Sequence, residues 1–249
     1  SREAEIGARL RHPNLVSIVD VGLSDGRTPF LVMELVDGGS LEGQRARFGD
    51  VPWALGVLGG VAEGLRALHE GGVIHRDLKP SNVLMDGPTP RICDFGISKH
   101  ADGERATGES VSHERLAPEL LALAATVDAA ALRARLTATG ALVGTPLYMA
   151  PEALAGATIE PSADVFSFGL LAYEIVTGEF PLALFAVASL GAAGTGIPTP
   201  TLARADGVPG DVAKVLDACV EMEPAARPTA AAIAATLQAS RSAPTSAVS

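Results

Sequence analysis

Cysteine is scarce: the 249 residues hold two, Cys93 and Cys219, far apart and in apolar surroundings. That placement favours free buried thiols over a disulfide and suits a reducing compartment. An excess of positive charge is also missing. Nineteen Lys and Arg face 29 Asp and Glu, for a formal net charge of −10. Nucleic acid and anionic membrane surfaces are therefore poor general partners, and solubility alone accounts for the acidity. No apolar run reaches the roughly 18 residues of a membrane span. The richest stretch, Val165 to Val176, contains Glu174 and follows Asp164. The opening Ser1-Arg2-Glu3-Ala4-Glu5 lacks the apolar stretch of a signal peptide, and no internal repeat is evident. What the chain does have is 47% hydrophobic residues, enough to build a sizeable core in one large domain or two small ones.

The most informative stretch is His75-Arg76-Asp77-Leu78-Lys79-Pro80-Ser81-Asn82. It holds a carboxylate, a lysine and an amide in quick succession. Pro80 forbids a regular helix through it, so a loop with a fixed bend is expected. Val73-Ile74 before it and Val83-Leu84-Met85 after it read as short buried strands. A second carboxylate follows in Ile92-Cys93-Asp94-Phe95-Gly96. An amide and a carboxylate, Asn82 and Asp94, on adjacent hairpin strands suit Mg²⁺, a hard cation that takes oxygen ligands. Asp77 is then left to accept a proton and Lys79 to meet a phosphate. Either short motif alone is common in turns; the two in this order and spacing are not.

Together they resemble the protein kinase family, whose catalytic loop reads His-Arg-Asp-Leu-x-x-x-Asn and whose metal loop reads Asp-Phe-Gly. Lys79, two residues after Asp77, is similar to the serine/threonine branch. The resemblance implies an α+β, protein-kinase-like fold: a mainly helical large lobe with a truncated small lobe. Residues 1–36 correspond to part of the small lobe and the hinge, 37–241 to the large lobe, and 242–249 to a flexible tail.

Residues 2–11 have helical composition, and His12-Pro13-Asn14 stops the helix. Two strands are expected over 15–22 and 29–36, joined by the turn chemistry of Ser24-Asp25-Gly26. By resemblance the helix is the regulatory one and Glu3 its ion-pairing glutamate; a solvated helix charge is the competing reading. Met33 falls on the gatekeeper. Glu34-Leu35-Val36 falls on the hinge, so Glu34 and Val36 are implied to bind adenine through their backbone. Leu84 is implied to lie under the adenine ring, a position that is also plain core. The lysine partner of Glu3 and the Gly-rich phosphate-covering loop are not found upstream in this sequence, so weak ATP affinity and slow turnover are expected of it alone.

Residues 52–70 form the clearest amphipathic helix, with Pro52 in its first turn and Gly71-Gly72 at its end. A second, mostly apolar helix covers 162–177, with Ser162 as cap and Gly178 as stop. Asp164 in its first turn needs a partner when buried; the resemblance has it accept backbone hydrogen bonds from the catalytic loop. Loop structure is expected over 186–207, then helices over about 209–222 and 228–240.

Between Asp94 and Glu152 the chain resembles a kinase activation segment, closed by Ala150-Pro151-Glu152. An insert near 101–136 lengthens it, where two short helices compete with a mobile loop. The resemblance makes Thr145 part of the substrate-hydroxyl pocket. It makes Thr137 and Thr139 similar to the phospho-threonines of bacterial receptor-type kinases, with Arg76 as phosphate partner. They also read as ordinary loop threonines. His75 and Phe95 take structural places, and Arg227 resembles the arginine that pairs with Glu152.

The implied function is a protein serine/threonine kinase: ATP as donor, Mg²⁺ on Asn82 and Asp94, Asp77, Lys79 and Thr145 at the transfer site, and a protein Ser or Thr as acceptor. A dimer suited to trans-autophosphorylation and a cytoplasmic location go with it. Two alternatives remain, a kinase-fold binding or scaffold module and a small-molecule phosphotransferase. Ala150-Pro151-Glu152 and Gly144-Thr145 argue against the latter.

Overall fold

The computed structural model describes residues 10–24, 28–95, 147–181 and 201–242. Glu3, Thr137, Thr139, Thr145, the insert, most of the first expected helix and the tail from residue 243 lie outside the described residues. Leu10 and Arg11, the last residues of that expected helix, are not helical.

Helix α1, Val51–Glu70, forms where the apolar spacing is strongest. The Asp50 carboxylate accepts the Trp53 N–H at 3.3 Å, and Pro52 stands in the first turn. Its apolar stripe, with Leu58, Val61, Leu65 and Leu68, is fully buried. Gly72, at φ 72°, takes the left-handed conformation that ends the helix. Gly64 lets α1 approach the chain before the first strand. A Cβ there would stand 2.7 Å from the Asn14 carbonyl oxygen.

Two antiparallel pairs of strands form separate sheets: β1 (Ile18–Ser24) with β2 (Thr28–Met33), and β3 (Val83–Asp86) with β4 (Thr89–Ile92). The first expected strand starts later than its sequence suggested. Leu15 instead bridges Ile92 in parallel, and Val16 donates to the Ile92 carbonyl at 2.9 Å. Val73-Ile74, expected as a strand, is not one. The Val73 N–H folds back onto the Leu68 carbonyl at 2.9 Å, closing the end of α1. Its backbone is thereby used locally instead of in a ladder.

A short helix, α2 (Pro151–Leu154), precedes α3 (Pro161–Thr177). Ser162 does not cap α3. Glu160 holds that position, Pro161 is the first helical residue, and no side chain caps the end. Proline there has no N–H to satisfy and a preset φ. Gly178, at φ 79°, stops the helix as expected. Helix α3 is apolar on nearly every side, and it is buried on nearly every side. Helices α4 (Gly210–Ala218) and α5 (Ala230–Ser242) follow. Helix α4 ends before residue 222 because its last turn tightens. Cys219 and Val220 donate three residues back, at 3.2 and 3.3 Å, and Pro224 then forbids continuation.

One apolar core joins Leu15 and Ile18 to the inner faces of α1, α3, α4 and α5. A smaller cluster, with Phe166 and Leu170, packs under residues 150–163. The architecture is α+β and mainly helical, as expected. The catalytic-motif loop lies between α1 and the β3–β4 hairpin.

Candidate active site

Two residues of the motif region take the left-handed backbone that non-glycine residues avoid: Arg76 at φ 71° and Asp94 at φ 59°. Each costs on the order of 1–2 kcal/mol and persists only where surrounding bonds over-determine it. For Arg76 those bonds come from one carboxylate. Asp164, 1% exposed, accepts the His75 N–H at 2.8 Å on one oxygen and the Arg76 N–H at 2.7 Å on the other. His69 Nε2 donates to the first of these oxygens at 2.9 Å. The backbone role implied for Asp164 is thus visible in the geometry; His69 is an addition that a lone histidine in a helix gave no means of predicting.

His75 is fully buried. Its Nδ1 accepts the Asp77 N–H at 3.2 Å, so the ring proton is on Nε2, which donates to the Cys93 carbonyl at 3.0 Å. Loss of water pushes its pKa below the ordinary 6.5, against the pull of Asp164, and the ring stays neutral. One imidazole thereby joins the catalytic-motif loop to the residue before Asp94. Burial also pushes the Cys93 thiol up to about 12, so it is no nucleophile.

Asp77 stays open to solvent, its side chain 54% exposed. Its Oδ2 accepts Lys79 Nζ at 2.7 Å and Asn82 Nδ2 at 3.0 Å. The same Asn82 amide donates to the Asp77 carbonyl at 2.8 Å. That orientation fixes which end of the Asn82 amide is spent. Its Oδ1, with only a long 3.4 Å contact from the Ser81 hydroxyl, remains available as an acceptor. Cys93 donates its N–H to the Asn82 carbonyl at 3.0 Å, continuing the β3–β4 ladder so that Asn82 stands opposite Cys93, the residue before Asp94. Asp94 is exposed, while Phe95 after it is buried in the core.

Asn82 Oδ1 and the Asp94 carboxylate are hard oxygen donors and fit Mg²⁺. Among the described residues, no three His, Cys, Asp or Glu side chains form a cation cage. A pair of protein oxygens leaves the remaining positions to water or phosphate, which is how Mg²⁺ is commonly held.

The hinge expectation concerns the backbone of Glu34 and Val36; the Glu34 side chain is engaged elsewhere. Its Oε1 accepts the Ser17 N–H at 2.6 Å and Arg91 at 3.0 Å, and these bonds hold its pKa below the usual value. The Glu34 N–H is also committed, to the Ser17 carbonyl at 3.0 Å. Its carbonyl is the group left over for a ligand. Met33 ends β2 and is part-exposed, Val36 follows in the linker, and half-buried Leu84 pairs with Arg91 and bridges Ser40. Arg91 also bonds Asp86 at 2.7 Å, tying the hinge to the hairpin.

Glu152 and Arg227 pair as expected. Two parallel bonds, at 2.6 and 2.9 Å, join them, and Arg227 also donates to the carbonyls of Ser162, Glu221 and Met222. Its guanidinium lies 4.9 Å from the centroid of Phe166.

A second buried acid escaped the sequence reading. Glu174, fully buried on α3, accepts Arg45 at 2.9 Å and the Tyr148 hydroxyl. Tyr148 and Arg76 line a small recess beside Asp77 and Lys79. The signal for Glu174 was available in its place on an otherwise apolar helix.

The sequence matches the family described as "Protein kinase domain" over residues 1–132 and 128–237. Serine/threonine-protein kinase PknL of Mycobacterium tuberculosis is 35% identical over 182 residues, covering 72% of this chain and 38% of that protein. PknK of the same organism is 34% identical over 244 residues, 93% of this chain and 19% of that protein. Serine/threonine-protein kinase pkn2 of Myxococcus xanthus is 37% identical over 186 residues, 72% of this chain and 19% of that one. The chain thus spans well under half the length of these relatives. Among solved structures, a mutant kinase domain of M. tuberculosis PknI superposes with a TM-score of 0.62 at 23% identity, over 96% of this chain and 76% of that one. That likeness speaks to the fold.

Proposed function

The chain belongs to the protein kinase family, and on that premise we propose that it transfers the γ-phosphate of ATP to a Ser or Thr hydroxyl of a protein. The observation that supports this best is the bonding of Asp77. A carboxylate held by Lys79 and Asn82, yet open to solvent, is oriented without being used up.

In this reading the acceptor hydroxyl loses its proton to Asp77 as its oxygen bonds to the γ-phosphorus. The bond from that phosphorus to the β–γ bridging oxygen breaks, and ADP leaves. Lys79 meets the γ-phosphate and the charge that builds there. Asn82 and Asp94 would hold Mg²⁺, which neutralises phosphate charge when bound. The Glu34 carbonyl and the Val36 backbone would receive adenine, with Met33 and Leu84 against the ring. Thr145 would complete the hydroxyl pocket. Glu3 would act from the regulatory helix, and Thr137 and Thr139 would accept phosphate from a second copy, with Arg76 near them. ATP as donor puts the reaction in the cytoplasm. Residues 1–36 and 37–241 would be the two lobes.

The test is transfer of radiolabelled phosphate to a generic basic protein, with Asp77→Asn as control. Slow but Asp77-dependent transfer is expected of these 249 residues alone. Equal signal from D77N would end the proposal. Mass spectrometry that finds phosphate on Thr137 or Thr139 supports a protein kinase over a small-molecule phosphotransferase.

A further inference from the structure

Beside His69, which donates to Asp164, lies a cavity of about 380 Å³. It is walled by α1, by the first turns of α3, and by Arg227 and the start of α5. Its size falls in the range of small-molecule clefts, about 300–1,000 Å³. Pro161, Val165, Pro228, Ala230 and Ala231 give it apolar walls.

The polar lining decides what could enter. Each charged side chain there already has a partner of opposite sign. Arg66 bonds Glu63 and Glu70, and Arg227 bonds Glu152. A charged ligand would lose water with no unpaired counter-charge to meet, so a neutral one is favoured. His69 is different. Its Nε2–H is committed to Asp164, which leaves Nδ1 as the other polar atom of the ring, an acceptor in the Nε2–H tautomer. That atom has no hydrogen-bond partner among the described residues and is not sealed from solvent. His69 is part of the cavity wall, and its side chain is 12% exposed.

We propose that this cavity binds a small neutral molecule with an apolar body and one O–H or N–H donor, which bonds Nδ1 of His69. Occupation is felt at the catalytic-motif loop, because His69 and the His75 N–H share one oxygen of Asp164. A donor on Nδ1 polarises the ring and strengthens its hold on that oxygen, at the expense of the His75 N–H that shares it. Binding itself is independent of whether the chain transfers phosphate; only its regulatory meaning rests on the kinase reading.

The experiment uses the full chain, isotope-labelled, with indole and 1-methylindole as probes. These share a body and differ in the donor. Indole is expected to bind saturably, to move the Nδ1 resonance of His69, and to shift the backbone amides of His75 and Arg76. Loss of one hydrogen bond should weaken 1-methylindole about fivefold. Ala231 is exposed, so A231W should fill the cavity and abolish binding without disturbing the core, with A231L as a milder second variant. No saturable binding, equal affinity for the two probes, or unchanged binding in both variants would overturn the site. Binding that leaves the His75 and Arg76 amides unmoved would overturn the coupling. Phosphate transfer is measured separately, so failure of the kinase reading leaves these readouts intact.

Discussion

The Asn82 amide holds Asp77 at two points, the backbone carbonyl at 2.8 Å and the carboxylate at 3.0 Å. A side chain proposed as a Mg²⁺ ligand therefore also orients the proposed base. Asn82→Leu removes both duties. Transfer should fall by at least the factor of about 10²–10⁴ typical of a lost acid–base group. Asn82→Asp keeps an oxygen ligand but sets a second carboxylate against Asp77, and should fall nearly as far. Phosphate-transfer rates at saturating Mg²⁺ check this. Near-normal rates in N82L would refute both roles.

Asp164 accepts three bonds in a site 1% exposed. Asp164→Ala leaves the His75 and Arg76 N–H groups without an acceptor while Arg76 still needs its left-handed backbone. Unpaired buried donors cost about 1–3 kcal/mol each, so a loss of about 3 kcal/mol or more is expected. Urea denaturation measures it. The chain should also lose activity under conditions where it remains folded.

Arg227→Met strands Glu152 beside its former partner, and breaking a buried pair costs about 3–5 kcal/mol. The double variant with Glu152→Leu should recover part of that loss, since apolar replacements of buried pairs are often tolerated. Thermal or urea unfolding of the three variants forms the cycle. Simple additivity would show that the pair is not coupled.

Burial lowers the pKa of His75 from the ordinary 6.5, and that of His12 in the same direction. Fully buried His75, neutral when folded, takes up a proton on unfolding. Stability is therefore full above about pH 6.5 and declines as pH falls below it, by up to about 1.4 kcal/mol per pH unit from His75. Unfolding midpoints between pH 7 and 5 should show the slope before most carboxylates titrate. His75→Gln should flatten it; a slope unchanged by that variant would assign it elsewhere.

Motif spacing singled out the candidate residues before any fold was known. The Asp164 bonds to the His75 and Arg76 N–H groups and the Glu152–Arg227 pair match what the likeness implied, and α1 and α3 follow from apolar period and punctuation. Val73-Ile74 misled because a short apolar run reads equally well as a buried strand or as a buried connector. Ser162 misled because proline one residue earlier had already supplied the start of the helix. Glu34 was assigned to the hinge by position, but only its neighbours Ser17 and Arg91 reveal that its side chain and N–H are engaged.

The order and identity of residues determined by themselves the acid, amide and ammonium of the site, the helices with a strong apolar period, and the family. These are local properties, carried by spacing along one chain. Tertiary structure alone decided the rest: His69 and the two backbone N–H groups meeting on Asp164, the tautomer of His75, and Glu174 joining Arg45 to Tyr148. Each depends on residues distant in sequence converging in a low-dielectric interior. There an unpaired polar group is costly, so the choice of partner is set by what the fold brings within reach.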